Sequence, residues 1–139
     1  MGITKIIIKS SSGYCSAEYA YTDKLIITQE SLQYEYFPYL EFEEQNKHQK
    51  WSYKTNSPLY KDWYERVAEM TPEYLNNDED LFFTDIGPTE ITAIFDDMHK
   101  QTESFFCPSK YFEKYFSLIT EMIPAGENIP ELLKIGDYE

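Results

Sequence analysis

Arginine is almost missing from this chain. Arg66 is the only one, and 12 basic residues face 25 acidic ones for a formal net charge of −13. Nucleic acid is held chiefly by Lys and Arg on phosphates and read by bidentate Arg, so direct nucleic-acid binding is disfavoured. Cysteine is nearly as scarce. Cys15 and Cys107 are the only two, and without a secretory leader they read as free thiols in a reduced setting, which makes the cytoplasm the expected location. No apolar run approaches the roughly 18 residues needed to span a bilayer, so no membrane association is expected. Among five glycines there is no phosphate-cradling loop.

What the sequence has in quantity is aromatic side chains and acid. Thirteen Tyr and nine Phe lie in 139 residues that are 42% hydrophobic, enough to fold one self-sufficient domain over residues 1–139. The acid excess supports solubility and fast, salt-sensitive association with a basic partner; it reads equally as a well-solvated surface.

One segment occurs twice. Residues 57–72, S-P-L-Y-K-D-W-Y-E-R-V-A-E-M-T-P, align without a gap on 109–124, S-K-Y-F-E-K-Y-F-S-L-I-T-E-M-I-P. Ser57 matches Ser109, Glu69 matches Glu121, Met70 matches Met122 and Pro72 matches Pro124. Tyr60/Phe112, Trp63/Tyr115, Tyr64/Phe116 and Val67/Ile119 keep aromatic or β-branched character. Upstream, L-I-I-T-Q at 25–29 echoes L-F-F-T-D at 81–85. A duplicated unit predicts that Trp63 and Tyr115, Val67 and Ile119, and Met70 and Met122 are equivalent and buried.

The periodicities predict the elements. Three isoleucines between Lys5 and Lys9 mark a strand over 3–9, the Ser10–Gly13 stretch a turn, and the alternation of 14–21 its antiparallel partner. Strands follow at 25–28, 32–37 (ended by Pro38) and 51–55, with a polar loop over 41–50. A helix opens at Ser57 as N-cap with Pro58 in its first turn, presents Leu59, Trp63, Val67 and Met70 with Tyr60 and Tyr64 beside them, and stops before Pro72. The second set comprises strands at 81–85, 90–95 and 101–107 and a helix from the Ser109 cap to about Ile123, more buried than the first because Leu118 stands where Arg66 was. From Ala125 a single helical turn and an acidic end are expected. The expected fold is α+β: an antiparallel sheet made of a hairpin (3–21) and two strand-strand-strand-helix repeats (25–72 and 81–124), both helices on one face, with an acidic tail over 125–139.

No residue set compels a chemistry. His48 and His99 fall in polar loops, where a histidine reads as solvated at least as readily as a base. Cys15 or Cys107 with a histidine would make a nucleophile pair, but neither lies in a recognised motif. Asp96, Asp97 and His99 fit a turn as well as a metal set, and 76–80 lacks the Gly and terminal Glu of a calcium loop. No catalytic residue, metal or cofactor is therefore assigned. Tyrosine offers contact area with a polar tip, so Tyr34, Glu35, Tyr36, Glu41, Glu43 and Glu44 are the expected binding surface of a non-enzymatic interaction module of the immunity, inhibitor or adaptor kind, its partner another protein and plausibly a basic one. The same tyrosines also read as rings packed under the helices. The competing expectation is a small-ligand binder or enzyme with an aromatic pocket at Tyr60, Trp63, Tyr115 and Phe116, an idea that a closed core at those rings removes.

The opening K-S-S-S-G-Y-C-S-A-E-Y-A-Y-T-D-K-L, with K-W-S-Y-K-T-N-S-P, F-T-D-I-G and the closing D-Y-E, is similar to a set of short proteins of gut Firmicutes with no assigned activity. The resemblance spans nearly the whole chain. It implies a bacterial cytoplasmic origin and carries over no functional residue.

Overall fold

The computed structural model describes residues 2–11, 20–38, 48–75, 89–105, 109–124 and 129–133. These form strands β1 (Ile3–Ser11), β2 (Tyr21–Thr28), β3 (Ser31–Pro38) and β4 (Gln49–Lys54), helix α1 (Pro58–Leu75), strands β5 (Thr89–Phe95) and β6 (Lys100–Phe105), and helix α2 (Glu113–Met122). The sheet order is β4-β3-β2-β1-β5-β6, and every neighbouring pair is antiparallel. The α+β class follows directly.

Alternation dictates which side of each strand is dry. The pairing aligns Leu32, Ile27, Ile6 and Ala93 in one row and Tyr34, Leu25, Ile8 and Ile91 in the next, and all eight are buried. Both helices lie over this face. From α1 come Tyr60, Tyr64, Val67, Thr71 and Leu75, and from α2 come Tyr115, Phe116, Ile119 and Met122. Three tyrosines fasten the layers: Tyr60 donates to the carbonyls of Thr28 and Ser31 at the β2–β3 turn, Tyr64 to the carbonyl of Ile3 (2.7 Å), and Tyr115 shares a hydrogen bond with Thr71 (2.7 Å).

Several expectations are corrected. The hairpin partner of β1 is β2, with Ser11 opposite Thr22, so β1 runs through the expected Ser10 turn. Leu25 and Ile27 can match the dry face of Ile6 and Ile8; the expected partner strand over 14–21 falls outside the described residues except for its end, where Tyr21 opens β2. The strand expected at 81–85 also lies outside them.

Helix α1 does not stop before Pro72 but carries it inside and ends at Leu75. An interior proline costs about 3 kcal/mol of helix stability. Here the extra turn buries Leu75 and sets Tyr74 against Tyr111, Phe112 and Tyr115, with ring centroids 4.9–5.7 Å apart. Burial of one such side chain is worth about 1.5–3 kcal/mol and each aromatic pair about 0.5–1.5, enough to offset the proline. The buried stripe is also rotated from the expected one. Leu59 is exposed, Trp63 is half-buried under the Arg66 guanidinium, and Met70 is half-buried.

Ser109 begins a 3-10 turn (Ser109–Phe112) rather than capping α2, whose N-cap position is Phe112. At the other end Ile123 turns extended ahead of Pro124, so this proline does terminate its helix. The single helical turn expected after Ala125 is a 3-10 turn (Glu131–Leu133), where Pro130, Leu132 and Leu133 are buried; the expected acidic end lies outside the described residues. The paired positions of the two similar segments agree in burial at Tyr60/Phe112, Tyr64/Phe116 and Val67/Ile119, and differ at Trp63/Tyr115 and Met70/Met122, where only the second member is buried. The duplication itself is not established by this arrangement.

Ile119 is wholly buried and Glu65 fully on the wet side of α1. Urea denaturation should therefore show Ile119→Ala losing about 2–5 kcal/mol and Glu65→Gln changing stability by no more than about 0.5. Comparable losses at the two sites would contradict the packing.

Candidate functional site

The sheet divides the expected tyrosine–glutamate surface. Tyr34 and Tyr36 are on the helix-covered side, Tyr34 buried and tilted against Trp51 (5.8 Å), Tyr36 half-buried and stacked on Tyr21 (5.1 Å). Glu35 points to the opposite side, where His48 pairs with it. These three residues do not share one surface, and Glu41, Glu43 and Glu44 lie outside the described residues.

The four rings of the alternative pocket come together, but as packing. Tyr60, Tyr115 and Phe116 are buried and Trp63 closes the edge. None of the four lines the clefts that described residues form at the α1–β1 end, at the β2–β3 turn or on the far side of the sheet. Burial alone pushes the Tyr64 hydroxyl up to about 12, and burial is the main cause of the upward shifts of Tyr60, Tyr74 and Tyr115.

The histidines are engaged in turns and edges. His99 stacks on Phe95 (4.4 Å) and holds Asp97 through ring and backbone, which keeps that carboxyl below its ordinary range. Asp96 instead accepts from the Gly2 amide. Among the described residues no three His, Cys, Asp or Glu converge as a metal set. Cys15, Cys107 and 76–80 lie outside them.

One buried carboxylate was missed. Asp23 is 2% exposed, and its Oδ2 accepts from the Tyr34 hydroxyl and from the Leu132 amide, both at 2.9 Å. A signal was present: Asp23 is in phase with Leu25 and Ile27, so a strand reaching back to Tyr21 puts this charge on the dry face. Its role is to tie the last described turn to β2.

Two outer surfaces carry sorted charge. On α1, Asp62, Glu65, Glu69 and Glu73 are all exposed and, spaced three or four apart, follow one helical stripe. Below it a cleft of about 530 Å³ is lined by Ile3, Gln29, Tyr64, Glu65, Glu69 and Phe95.

The far side of the sheet is the reverse. The register places Lys5, Lys9, Lys24, Lys50, Lys54 and Lys100 there, half of the chain's bases, against Glu35 and Glu90. Six lysines against two carboxylates give a formal +4 in a chain of −13. Among the described residues the ion pairs within 4 Å are His48–Glu35 and His99–Asp97, so none of the six lysines is neutralised. Half-buried Ile7 and Ile26 form the apolar middle of this side.

No protein-family model matches this chain, and a search of curated proteins finds no significant relative. No helix among the described residues is long and apolar enough to cross a membrane.

The raised tyrosines set an alkaline limit. Unfolded phenols ionise near pH 10, whereas folded Tyr64 keeps its proton to about 12, so its contribution is complete below about 10 and is lost as pH rises through that window. Near-ultraviolet circular dichroism should collapse together with the late phenolate absorbance. Ionisation of the buried tyrosines near pH 10 with the dichroism intact would contradict their burial. Replacing Asp23 by Ala should cost about 2 kcal/mol and remove hydrogen-exchange protection at Leu132, because two buried donors lose their acceptor.

Proposed function

We propose that this protein is a non-enzymatic, acidic interaction module of the immunity, inhibitor or adaptor kind, working in the cytoplasm and docking on a basic protein. The observation that carries the reading is the sorting of charge: four exposed carboxylates follow one stripe of α1 while half of the bases are drawn away to the far side of the sheet. With six bases on the far side of the sheet, the four carboxylates of α1 outnumber its own Lys61 and Arg66, and that net negative field acts over roughly a Debye length, which speeds encounter with a basic surface. The stripe stands on a rigid element. Tyr60 and Tyr64 bond α1 to the sheet, so little order is lost on binding. Glu35 belongs to the other surface, and the module's contact residues are accordingly Asp62, Glu65, Glu69 and Glu73. A ligand pocket at Tyr60, Trp63, Tyr115 and Phe116 has no such support, since three of those rings are closed in the core.

Kinetic binding measurements against poly-L-lysine and against basic proteins of the host cell test this. Association should slow by about tenfold or more as salt rises from dilute to physiological, and the triple variant Glu65→Gln, Glu69→Gln, Glu73→Gln should bind correspondingly slowly with unchanged thermal stability. Binding that ignores both salt and the triple variant sinks the proposal.

A further inference from the structure

The far side of the sheet carries a second surface of opposite character. A groove of about 530 Å³ lies on it, lined by Lys9, Lys24, Thr22, Phe37, Ser104 of β6 and two carboxyls, Glu90 and the buried Asp23. Lys9 and Lys24 stand directly opposite one another on β1 and β2. Like charges paired across strands destabilise a sheet; Glu35 opposite Lys24 and Glu90 opposite Lys9 offset part of this, yet neither ammonium has an ion-pair partner within 4 Å. A carboxylate set between them would relieve that repulsion. Phe37, 40% exposed at the groove's rim, offers an apolar contact beside it. The next row but one adds Lys5, Lys54 and Lys100 with no acid among its aligned positions.

We infer that this groove is a docking site for an acidic segment of another protein, its carboxylates on Lys9 and Lys24 and an apolar side chain against Phe37. Charge complementarity selects this occupant over the others. A second copy meeting face to face would set +4 against +4. A nucleic acid or an anionic membrane is a uniform field of negative charge, which Glu35 and Glu90 within the lysine row oppose and the chain's −13 repels at long range. A protein surface can place its own cations over those two glutamates. The centre of the face agrees: Ile7 and Ile26 suit an apolar contact, while the exposed ring of Phe37 stands at the rim against His48 and not in these central rows, where base stacking would need aromatic platforms.

The test uses the full chain with poly-L-glutamate as probe, followed by amide chemical shifts. Shifts at low salt should centre on the groove residues of β1, β2, β3, β5 and β6 and leave α1 and α2 unmoved, and affinity should fall about tenfold or more in Lys9→Glu with Lys24→Glu. Lys9→Gln with Lys24→Gln provides the same reading with less risk to the sheet, and circular dichroism confirms that both variants fold. The glutamine triple variant of α1 should leave polyglutamate binding no weaker, which separates this site from the acidic stripe. The inference is overturned by absent binding, by shifts that map to α1 or α2, by affinity unaffected in the lysine variants, or by tighter binding of oligothymidylate or phosphatidylserine vesicles than of polyglutamate.

Discussion

The pairing of β1 with both β2 and β5 is the interaction on which the rest of the structure depends. β1 comes first in the chain and sits in the interior of the sheet, so the β4-β3-β2 side and the β5-β6 side meet only through it. Its Ile6 and Ile8 are fully buried between Ile27 and Leu25 on one hand and Ala93 and Ile91 on the other. A one-residue slip would send both isoleucines to the lysine side and bring Lys5, Ile7 and Lys9 under the helices. Burial of charged ammonium groups without partners is prohibitive, so the register is held from both faces at once. The bulge near Thr4 confines the one irregularity to the end of the strand.

The two helices complete this arrangement by contact with each other as well as with the sheet. Thr71 is the meeting point. Its hydroxyl donates to the Val67 carbonyl within α1 and therefore accepts from Tyr115 of α2. Tyr74 and the Phe105, Tyr111, Phe112 and Phe116 rings extend the contact as one aromatic cluster. The two prolines behave differently for this reason. Pro124 follows a residue free to turn extended, whereas Thr71, ahead of Pro72, is locked in helical geometry by its buried hydrogen bonds and by the anchors beyond it. Equal sequence produces unequal ends because packing on the far side of the proline differs.

The same sheet that builds the core also sorts the charge. A strand alternating isoleucine and lysine must show lysine wherever isoleucine is covered, and with helices on one face only, the lysines of four strands collect on the other. Acids fill the helix exterior and the connections instead. A net charge of −13 thus does not describe the lysine side of the sheet, which is locally cationic. The two docking surfaces proposed above lie on these opposite sides.

The residue pattern by itself determined the α+β class, the places of β3, β5 and α2, and the burial of Val67, Ile119 and Phe116, because a period of two or of 3.6 is local information that neighbours in sequence enforce. It determined that Tyr34 and Glu35 part company, though not that this splits a binding surface. Tertiary structure decided what depends on partners remote in the chain. It chose β2 for β1 by matching dry faces, carried α1 through Pro72 because Tyr74 and Leu75 had somewhere to pack, left Leu59 in water by turning the stripe toward Tyr60, and buried Asp23 where Leu132 arrives to meet it. The lysine face belongs to the same category. No lysine stands out in its own strand, and only the register across the sheet brings Lys5 into line with Lys100 and sets Lys9 against Lys24.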